Sequence, residues 1–127
     1  MSSAIILFAH GARDPEWAQP FFAIRQLLQQ SLPDTPVCVA FLDCMQPELD
    51  AAVEQLLADG INQITLIPMF LARGGHLKED LPKQLGSIRQ RHPQLTLHVS
   101  SAIGEEDAIL RSLADWVEQE HQRHSSP

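Results

Sequence analysis

The feature that most constrains the fold of this chain is an alternation of apolar runs with segments whose apolar residues recur at helical spacing. Three continuous apolar runs, partly β-branched, occupy residues 4–9, 37–42 and 64–67, and residues 95–99 are a fourth candidate. Continuous rather than alternating apolar character is typical of strands that are covered on both faces. We therefore predict four strands buried within the domain.

The segments between and after these strands are predicted to be helices. In the third of them, Pro82 and Gly86 are expected to interrupt the helix. The order β-α-β-α-β-α-β-α predicts a parallel sheet with right-handed crossovers and helices on both faces. We predict an α/β fold, a single domain over residues 1–127 with a four-stranded parallel sheet and a frayed polar tail near residues 121–127. The predicted helices span residues 14–32, 47–58, 77–91 and 105–122.

Charge and cysteine content exclude several functional classes. Nine Lys and Arg against 16 Asp and Glu give a net charge of −7, which disfavours general binding to nucleic acid or to an anionic membrane. No apolar run reaches the roughly 18–20 residues that cross a bilayer. Two cysteines, Cys38 and Cys44, cannot build a multi-bridge scaffold. A reduced, cytoplasmic protein is expected.

Two glycine-containing loops are the candidate site, because ligands bind beyond the carboxyl ends of parallel strands. His10 precedes Gly11 after the first strand, and His76 follows Gly75 after the third. These histidines are either turn residues bonded to backbone or functional groups, and residue patterns leave both open. Two histidines without cysteine ligands do not form a closed zinc site, but they suit an open site for a divalent transition metal. The other histidines are expected to be structural or solvated: His92, His98, His121 and His124.

Motifs for covalent and nucleotide chemistry are absent from the sequence. There is no G-x-S-x-G elbow, no G-x-x-x-x-G-K-[ST] and no G-x-G-x-x-G before the first helix. Basic residues nevertheless gather around the two loops. They form either an ordinary solvated face or a docking rim for carboxylates or phosphates. These residues are Arg13, Arg73, Lys78 and Lys83.

Two stretches resemble the signatures of a known family. Residues 7–13 (LFAHGAR) and 68–82 (PMFLARGGHLKEDLP) are similar to those of the small CbiX-type sirohydrochlorin cobaltochelatases, which are ATP-independent class II chelatases. The resemblance extends over most of residues 3–120. It implies a chelatase-like fold with flavodoxin-like layering. It also implies insertion of a divalent metal into sirohydrochlorin, with Co²⁺ first, Fe²⁺ or Ni²⁺ as alternatives, and no further cofactor.

The resemblance also assigns roles to single residues. His10 and His76 match the catalytic, metal-binding histidines, and His10 also matches the proposed proton acceptor. Gln46 lies where relatives often have a substrate-contacting glutamate, although an amide supplies no negative charge. Ala12 replaces a common serine. The residues matching the tetrapyrrole-lining loop are Leu71, Ala72, Arg73, Gly74 and Gly75, and the carboxylate-docking rim would comprise Arg13 and Lys78.

Larger class II chelatases resemble two such domains around one cleft, so the resemblance implies a homodimer of this chain. Other classes remain open at this stage. One is a flavodoxin-like binding module without catalysis, and a second is a carrier of metal or tetrapyrrole. A third is a metal-dependent hydrolase that uses His10 and His76.

Overall fold

A computed structural model describes residues 2–72 and 74–125 of the chain, with the side chains of Gly75 and His76 also left out of the description. Within these residues the chain forms one parallel sheet of four strands in the order β2-β1-β3-β4. The predicted α/β fold is therefore confirmed. The strands are β1 (Ser3–Ala9), β2 (Val37–Phe41), β3 (Gln63–Pro68) and β4 (Thr96–Val99).

Strand β1 lies inside the sheet, with a parallel neighbour on each side. Ile5 pairs with Val37 of β2 and with Thr65 of β3, and Gln63 pairs with Thr96 of β4. Because all four strands are parallel, their carboxyl ends meet at one edge. The two loops of the predicted site, which follow β1 and β3, leave the sheet at this edge.

Helices separate the strands in the predicted order. A 3-10 turn at Pro15–Ala18 precedes the first helix, and the side chain of Asp14 caps that turn by accepting a hydrogen bond from the Glu16 amide. A second 3-10 turn at Ile103–Glu105 precedes the last helix. No helix in residues 2–72 or 74–125 is both long and apolar enough to span a membrane. The helices are α1 (Gln19–Ser31), α2 (Leu49–Ala58), α3 (Gly75–Arg91) and α4 (Asp107–Ser125).

The two faces of the sheet carry different helices. On one face, the alternate side chains of β1 and β3 pack with α2 and α3 into the larger apolar cluster, which includes Phe8, Leu66, Val53 and Ile88. On the other face, α1 packs against the β1–β2 half of the sheet, and this smaller cluster includes Phe41. Burial of these side chains stabilises the fold in proportion to the apolar area removed from water.

The expected interruption of α3 is wrong, because the helix is continuous from Gly75 to Arg91. Leu81, Leu85 and Ile88 lie at helical spacing and are buried against the sheet, so they hold this face of the helix in place. Pro82 and Gly86 are exposed. The carbonyl that loses its partner at a proline can be hydrated when it lies on the solvent side.

Helix α4 differs from the other three because its side chains are almost all exposed. It begins one residue after the 3-10 turn Ile103–Glu105, with which it makes its main contacts. It continues to Ser125 and so includes most of the predicted frayed tail; Ser126 and Pro127 lie outside the described residues.

Candidate functional site

The His10 imidazole lies at the carboxyl end of β1 and is exposed to solvent. Its ring contacts the ring of Phe70, which follows β3, with the two centroids 4.9 Å apart and the planes at 69°. Phe70 is itself only 3% exposed and packs edge-on against Phe8, at 5.7 Å. Edge-to-face geometry is a favourable arrangement of aromatic rings. The imidazole therefore rests on a buried aromatic support while its opposite side faces solvent.

The backbone around His10 is fixed by the loop after β2. The Leu42 amide donates to the Ala9 carbonyl at 2.9 Å, and the Asp43 amide donates to the His10 carbonyl at 3.2 Å. Gly11 has φ +89°, and a Cβ atom there would overlap the Asp43 carbonyl oxygen. Only glycine suits both the left-handed backbone and this close approach. The backbone therefore requires glycine at position 11, whatever the role of His10.

The loop after β3 is held from two sides. The Met69 amide donates to the Phe8 carbonyl at 2.8 Å, and the Gly104 amide donates to the Phe70 carbonyl at 3.0 Å. A Cβ atom on Gly104 would overlap the Leu71 carbonyl oxygen. The chain that follows β4 therefore packs directly on the loop that supports His10.

Helix α3 begins at the same edge of the sheet. Gly74 caps it with an extended backbone, and the amides of Leu77 and Lys78 donate to the Gly74 carbonyl at 3.2 and 3.3 Å. His76 belongs to the first turn of this helix, as the sequence order requires. The side chain of His76 and all of Arg73 lie outside the described residues, so their predicted roles stay predictions.

A cavity of about 180 Å³ lies between the loop after β3 and the start of α3. It brings together three predicted site residues, since Leu71, Ala72 and Lys78 all line it. Leu71 is 60% exposed, so its apolar side chain is accessible from solvent. Ala102 and Glu105 also line the cavity and were missed by sequence reasoning. Ligands bind beyond the carboxyl ends of parallel strands, and this strand-end rule applies to the loop after β4 as well. It could therefore have identified Ala102 and Glu105.

Gln46 lines a different depression, of about 290 Å³, between α2 and α3. Its neighbours there include the acidic residues Glu48, Asp50 and Glu54. The structure therefore does not bring Gln46 into the cavity that contains Leu71.

Arg13 is exposed at the end of the His10 loop and lies close enough to Cys44 to affect its thiol. A hydrogen bond donated by the Cys44 thiol to the Asp43 carboxylate raises the pKa of Cys44, whereas the Arg13 guanidinium partly opposes this shift. Arg13 therefore adds positive charge beside the His10 loop. Cys38 and Cys44 are both free thiols.

The described residues contain no group of three or more His, Cys, Asp or Glu side chains that could hold a metal ion. The exposed His10 imidazole lies at the carboxyl edge, and its role in binding a metal stays a prediction. A site with so few protein ligands leaves most coordination positions of an ion open.

Fold and site together define a small parallel α/β domain with an exposed histidine, an aromatic support and basic side chains at the carboxyl edge of its sheet. The sequence model of the CbiX family matches residues 4–120. The chain belongs to the CbiX family.

The chain is also similar to individual proteins, which differ in length. The chain is 28% identical over 115 residues to a sirohydrochlorin cobaltochelatase of Sulfurisphaera tokodaii, covering 91% of each chain. It is 25% identical over 117 residues to a sirohydrochlorin ferrochelatase of Priestia megaterium. The matched residues cover 91% of this chain but only 44% of the relative. Among solved structures, a putative cobalamin biosynthesis CbiX protein of Marinobacter aquaeolei superimposes with a TM-score of 0.82 at 29% identity, covering 95% of this chain and 98% of the other.

Proposed function

We propose that this protein is a chelatase that inserts a divalent metal into sirohydrochlorin without ATP. The observation that carries the proposal is the exposed His10 imidazole at the end of the inner strand β1, in a CbiX-family chain. Relatives named sirohydrochlorin cobaltochelatase and sirohydrochlorin ferrochelatase support the choice of reaction.

Metal insertion requires two events at the centre of the ring: two pyrrole N–H protons leave, and ring nitrogens replace water on the metal. A neutral imidazole suits both events, because it ligates divalent ions and accepts protons near neutral pH. In the proposal, His10 would ligate the ion first and, once the ring nitrogens have taken the ion, its freed lone pair would accept one pyrrole proton, while His76 would supply a second imidazole that can accept the other. Few protein ligands favour transfer, since the ring nitrogens need open coordination positions.

The residues around His10 supply the contacts for a flat, carboxylate-bearing ring. The exposed Leu71 side chain offers an apolar surface to the macrocycle, and the proposal also assigns ring contacts to Ala72, Arg73, Gly74 and Gly75. Arg13, Arg73 and Lys78 would dock peripheral carboxylates, since ammonium and guanidinium groups form charge-assisted hydrogen bonds with them. We leave Gln46 as a candidate contact from the neighbouring depression.

The metal is the substrate of this reaction, and we propose no further cofactor. Imidazole ligands follow the general affinity order of divalent metals and do not themselves select cobalt. Co²⁺ is our first choice because several relatives are named cobaltochelatases, with Fe²⁺ and Ni²⁺ as alternatives. Two free thiols support a cytoplasmic setting.

A homodimer completes the proposal. One domain contributes a single wall of strand-end loops, which would leave a bound macrocycle open to water on one side. A second copy facing the first would enclose the ring, and twofold pairs are the commonest assemblies of identical chains.

The experiment is an anaerobic absorbance assay of sirohydrochlorin with Co²⁺, Fe²⁺ or Ni²⁺, each compared with the reaction without protein. We expect a protein-dependent rate with at least one metal. We expect His10→Ala and His76→Ala to lose about 10²-fold or more of that rate, as removal of a general base or ligand does. His92→Ala is the matched control and should retain it.

Two outcomes would contradict the proposal. Binding of metal or sirohydrochlorin without any rate enhancement would make the protein a carrier. Full activity of both the His10→Ala and His76→Ala variants at limiting metal would remove the histidines from the mechanism.

A further inference from the structure

Strand β2 forms one edge of the sheet, because within residues 2–72 and 74–125 it pairs with β1 alone. An edge strand presents backbone amides and carbonyls to which a strand of another chain can add. The sequence of β2, VCVAF, contains no charged residue, no proline and no glycine, and segments of this kind are prone to pair between chains. The outer edge of β2 is therefore a potential site of association between copies.

The direction of each peptide group in β2 follows from its bonds to β1. The Ile5 amide donates to the Pro36 carbonyl, and the Leu42 amide donates to the Ala9 carbonyl, both at 2.9 Å. Peptide groups alternate in direction along a strand that has a parallel neighbour on one side. The even-numbered residues of β2 therefore face β1, and the backbone groups of residues 37, 39 and 41 face outward.

The side chain of Gln29, on α1, occupies the first of these outward amides. Its Oε1 accepts from the Val37 amide at 3.0 Å. Its Nε2 donates to the Leu32 carbonyl at 3.1 Å and to the Thr35 carbonyl at 2.9 Å. The amide group of Gln29 thus lies where the carbonyl of an added strand would lie, and its bonds to the chain after α1 hold it there.

The segment after β2 occupies the last outward amide. The Pro47 carbonyl accepts from the Phe41 amide at 2.9 Å, and Phe41 and Glu48 form an isolated parallel bridge at this point. Among residues 2–72 and 74–125, the outward amide of Val39 has no hydrogen-bond partner. Both ends of the β2 edge are therefore occupied, and the unoccupied amide lies between them.

The opposite edge of the sheet has a similar contact. The Thr96 amide donates to the Asn62 carbonyl at 2.9 Å, so Thr96 faces β3 and the next residue, Leu97, faces outward. The Leu97 carbonyl accepts from the Arg89 guanidinium of α3 at 2.8 Å. At each edge, a side chain of the helix that precedes the edge strand occupies an outward backbone group of that strand.

We propose that Gln29 and the Pro47 carbonyl block pairing of the β2 edge with the β2 edge of another copy of this chain. Two identical edges would pair antiparallel about a twofold axis. A pair centred on Val39 would place Val37 of one copy opposite Phe41 of the other, and it would need the amides of both as donors. Both amides already donate within the chain, so an added strand has to displace Gln29 first. The block needs neither metal nor sirohydrochlorin and is independent of the proposed function.

The first experiment measures exchange of the β2 amides with deuterium by NMR at low protein concentration. In the wild type we expect the Val39 amide to exchange about tenfold or more faster than those of Val37 and Phe41, because it has no partner. We expect Gln29→Leu to accelerate Val37 by about the same factor while leaving Phe41 unchanged. An unchanged rate at Val37 would show that Gln29 does not hold this amide and would overturn the proposal.

The second experiment follows light scattering and the infrared band of intermolecular β-sheet over time. Each variant is held equally far below its own unfolding midpoint. We expect Gln29→Leu to associate about tenfold or more faster than the wild type, because its edge is open. Gln30→Leu places the same side chain at a neighbouring exposed position, and Val53→Ala lowers stability at a buried position. Both controls should behave like the wild type.

Two results of the association experiment would contradict the block. A Gln29→Leu variant that associates no faster than the wild type would show that the edge is not blocked by Gln29. Equal association of Gln29→Leu and either control would attribute the effect to surface apolarity or to lost stability.

A cross-linking measurement identifies the strand that pairs in Gln29→Leu. Cys38 lies within β2 and Cys44 lies beyond its end, and both are free thiols. In an antiparallel pair centred on Val39, the two Cys38 side chains would be diagonal neighbours about 7–8 Å apart. We expect a short bis-maleimide reagent to link copies through Cys38 in a Cys44→Ala background and to link few through Cys44 in a Cys38→Ala background. Equal linking through Cys44 would place the contact elsewhere, and the proposal would be wrong.

Discussion

At the scale of single residues, the site depends on how a solvent-exposed imidazole is kept in one place. Phe70 does this through its edge-to-face contact with His10, and Phe70 is in turn set by Phe8 and by the hydrogen bond from Gly104. In the proposed reaction, Phe70 can therefore affect the rate without contacting the metal, because it orients His10. Such positioning residues are measured by their effect on rate when the fold survives.

Phe70→Leu tests this positioning. The substitution keeps an apolar side chain in the core but removes the ring that supports His10. We expect the free energy of unfolding to fall by about 1–2 kcal/mol and the metalation rate of folded protein to fall severalfold. Phe41→Leu, at a buried aromatic position on the other face of the sheet, is the control and should lose comparable stability while retaining its rate. Equal rates in the two variants would remove Phe70 from the site.

Lys78→Ala tests the docking rim. Lys78 lines the cavity beside Leu71, whereas Lys83 on the same helix does not. If Lys78 docks a carboxylate, its removal should raise KM for sirohydrochlorin more than it lowers kcat, and added salt should reproduce part of the effect. Lys83→Ala should behave like the wild type. Identical KM values and salt responses for the two variants would show that Lys78 is an ordinary solvated residue.

At the scale of elements, three connecting segments converge on one edge of the sheet. The loop after β2 fixes the chain at His10, and the turn after β4 fixes Phe70 and Leu71. The apolar strands beneath supply a common base, so each loop is positioned relative to the others by the register of the sheet. The turn at Ile103–Glu105 contacts two elements, since it also packs against α4.

Gly104→Ala tests the junction between this turn and the site. The added Cβ atom would overlap the Leu71 carbonyl oxygen, so backbone has to move. We expect a loss of about 1–3 kcal/mol in the free energy of unfolding together with a raised KM for sirohydrochlorin. Gly86→Ala is the control, because it lies within α3 with nothing within 4 Å of the added atom, and it should gain about 0.5–1 kcal/mol. Denaturant unfolding and steady-state kinetics measure both effects, and an unchanged KM in Gly104→Ala would contradict the coupling.

Much of this organisation could be predicted from the sequence, for identifiable reasons. Three continuous apolar runs located β1, β2 and β3, residues 95–99 were the candidate for β4, and the strand-end rule located the loops with His10 and Leu71. The expected interruption of α3 was wrong because the burial of Leu81, Leu85 and Ile88 against the sheet outweighs the local helix-breaking tendency of Pro82 and Gly86. Gln46 matches the position of a substrate-contacting glutamate in relatives; it lines a depression separate from the cavity beside Leu71, and its contact with substrate stays a prediction. The exposure of α4 could not be predicted, because periodicity reveals an apolar stripe and not the surface that covers it.

At the scale of the whole molecule, the two faces of the sheet are unequal. Within residues 2–72 and 74–125, one face is covered by α2 and α3, and on the other face α1 packs against β1 and β2. The protein also carries a net charge of −7, while basic residues stand at the rim of the site. Two acidic chains repel each other. In a homodimer of this chain, burial of apolar surface would supply the favourable free energy that offsets this repulsion.

Activity across dilution tests the enclosing dimer. If two copies enclose one ring, specific activity should fall when the protein is diluted below its dimer dissociation constant, because a monomer leaves the ring open to water. The mid-point of this fall should coincide with the mid-point of dissociation measured by light scattering. Constant specific activity through complete dissociation would show that one domain suffices.

The position of β1 has a consequence for how metal and ring could meet. This strand is hydrogen-bonded on both sides, and its last carbonyl and that of His10 are bonded again by the loop after β2. Backbone of this kind opens only when the sheet as a whole opens, so its amides should be among the slowest in the chain to exchange with deuterium. The backbone therefore holds His10 in a fixed position. In the proposed reaction the ion is bound at this fixed position, and the macrocycle moves toward it.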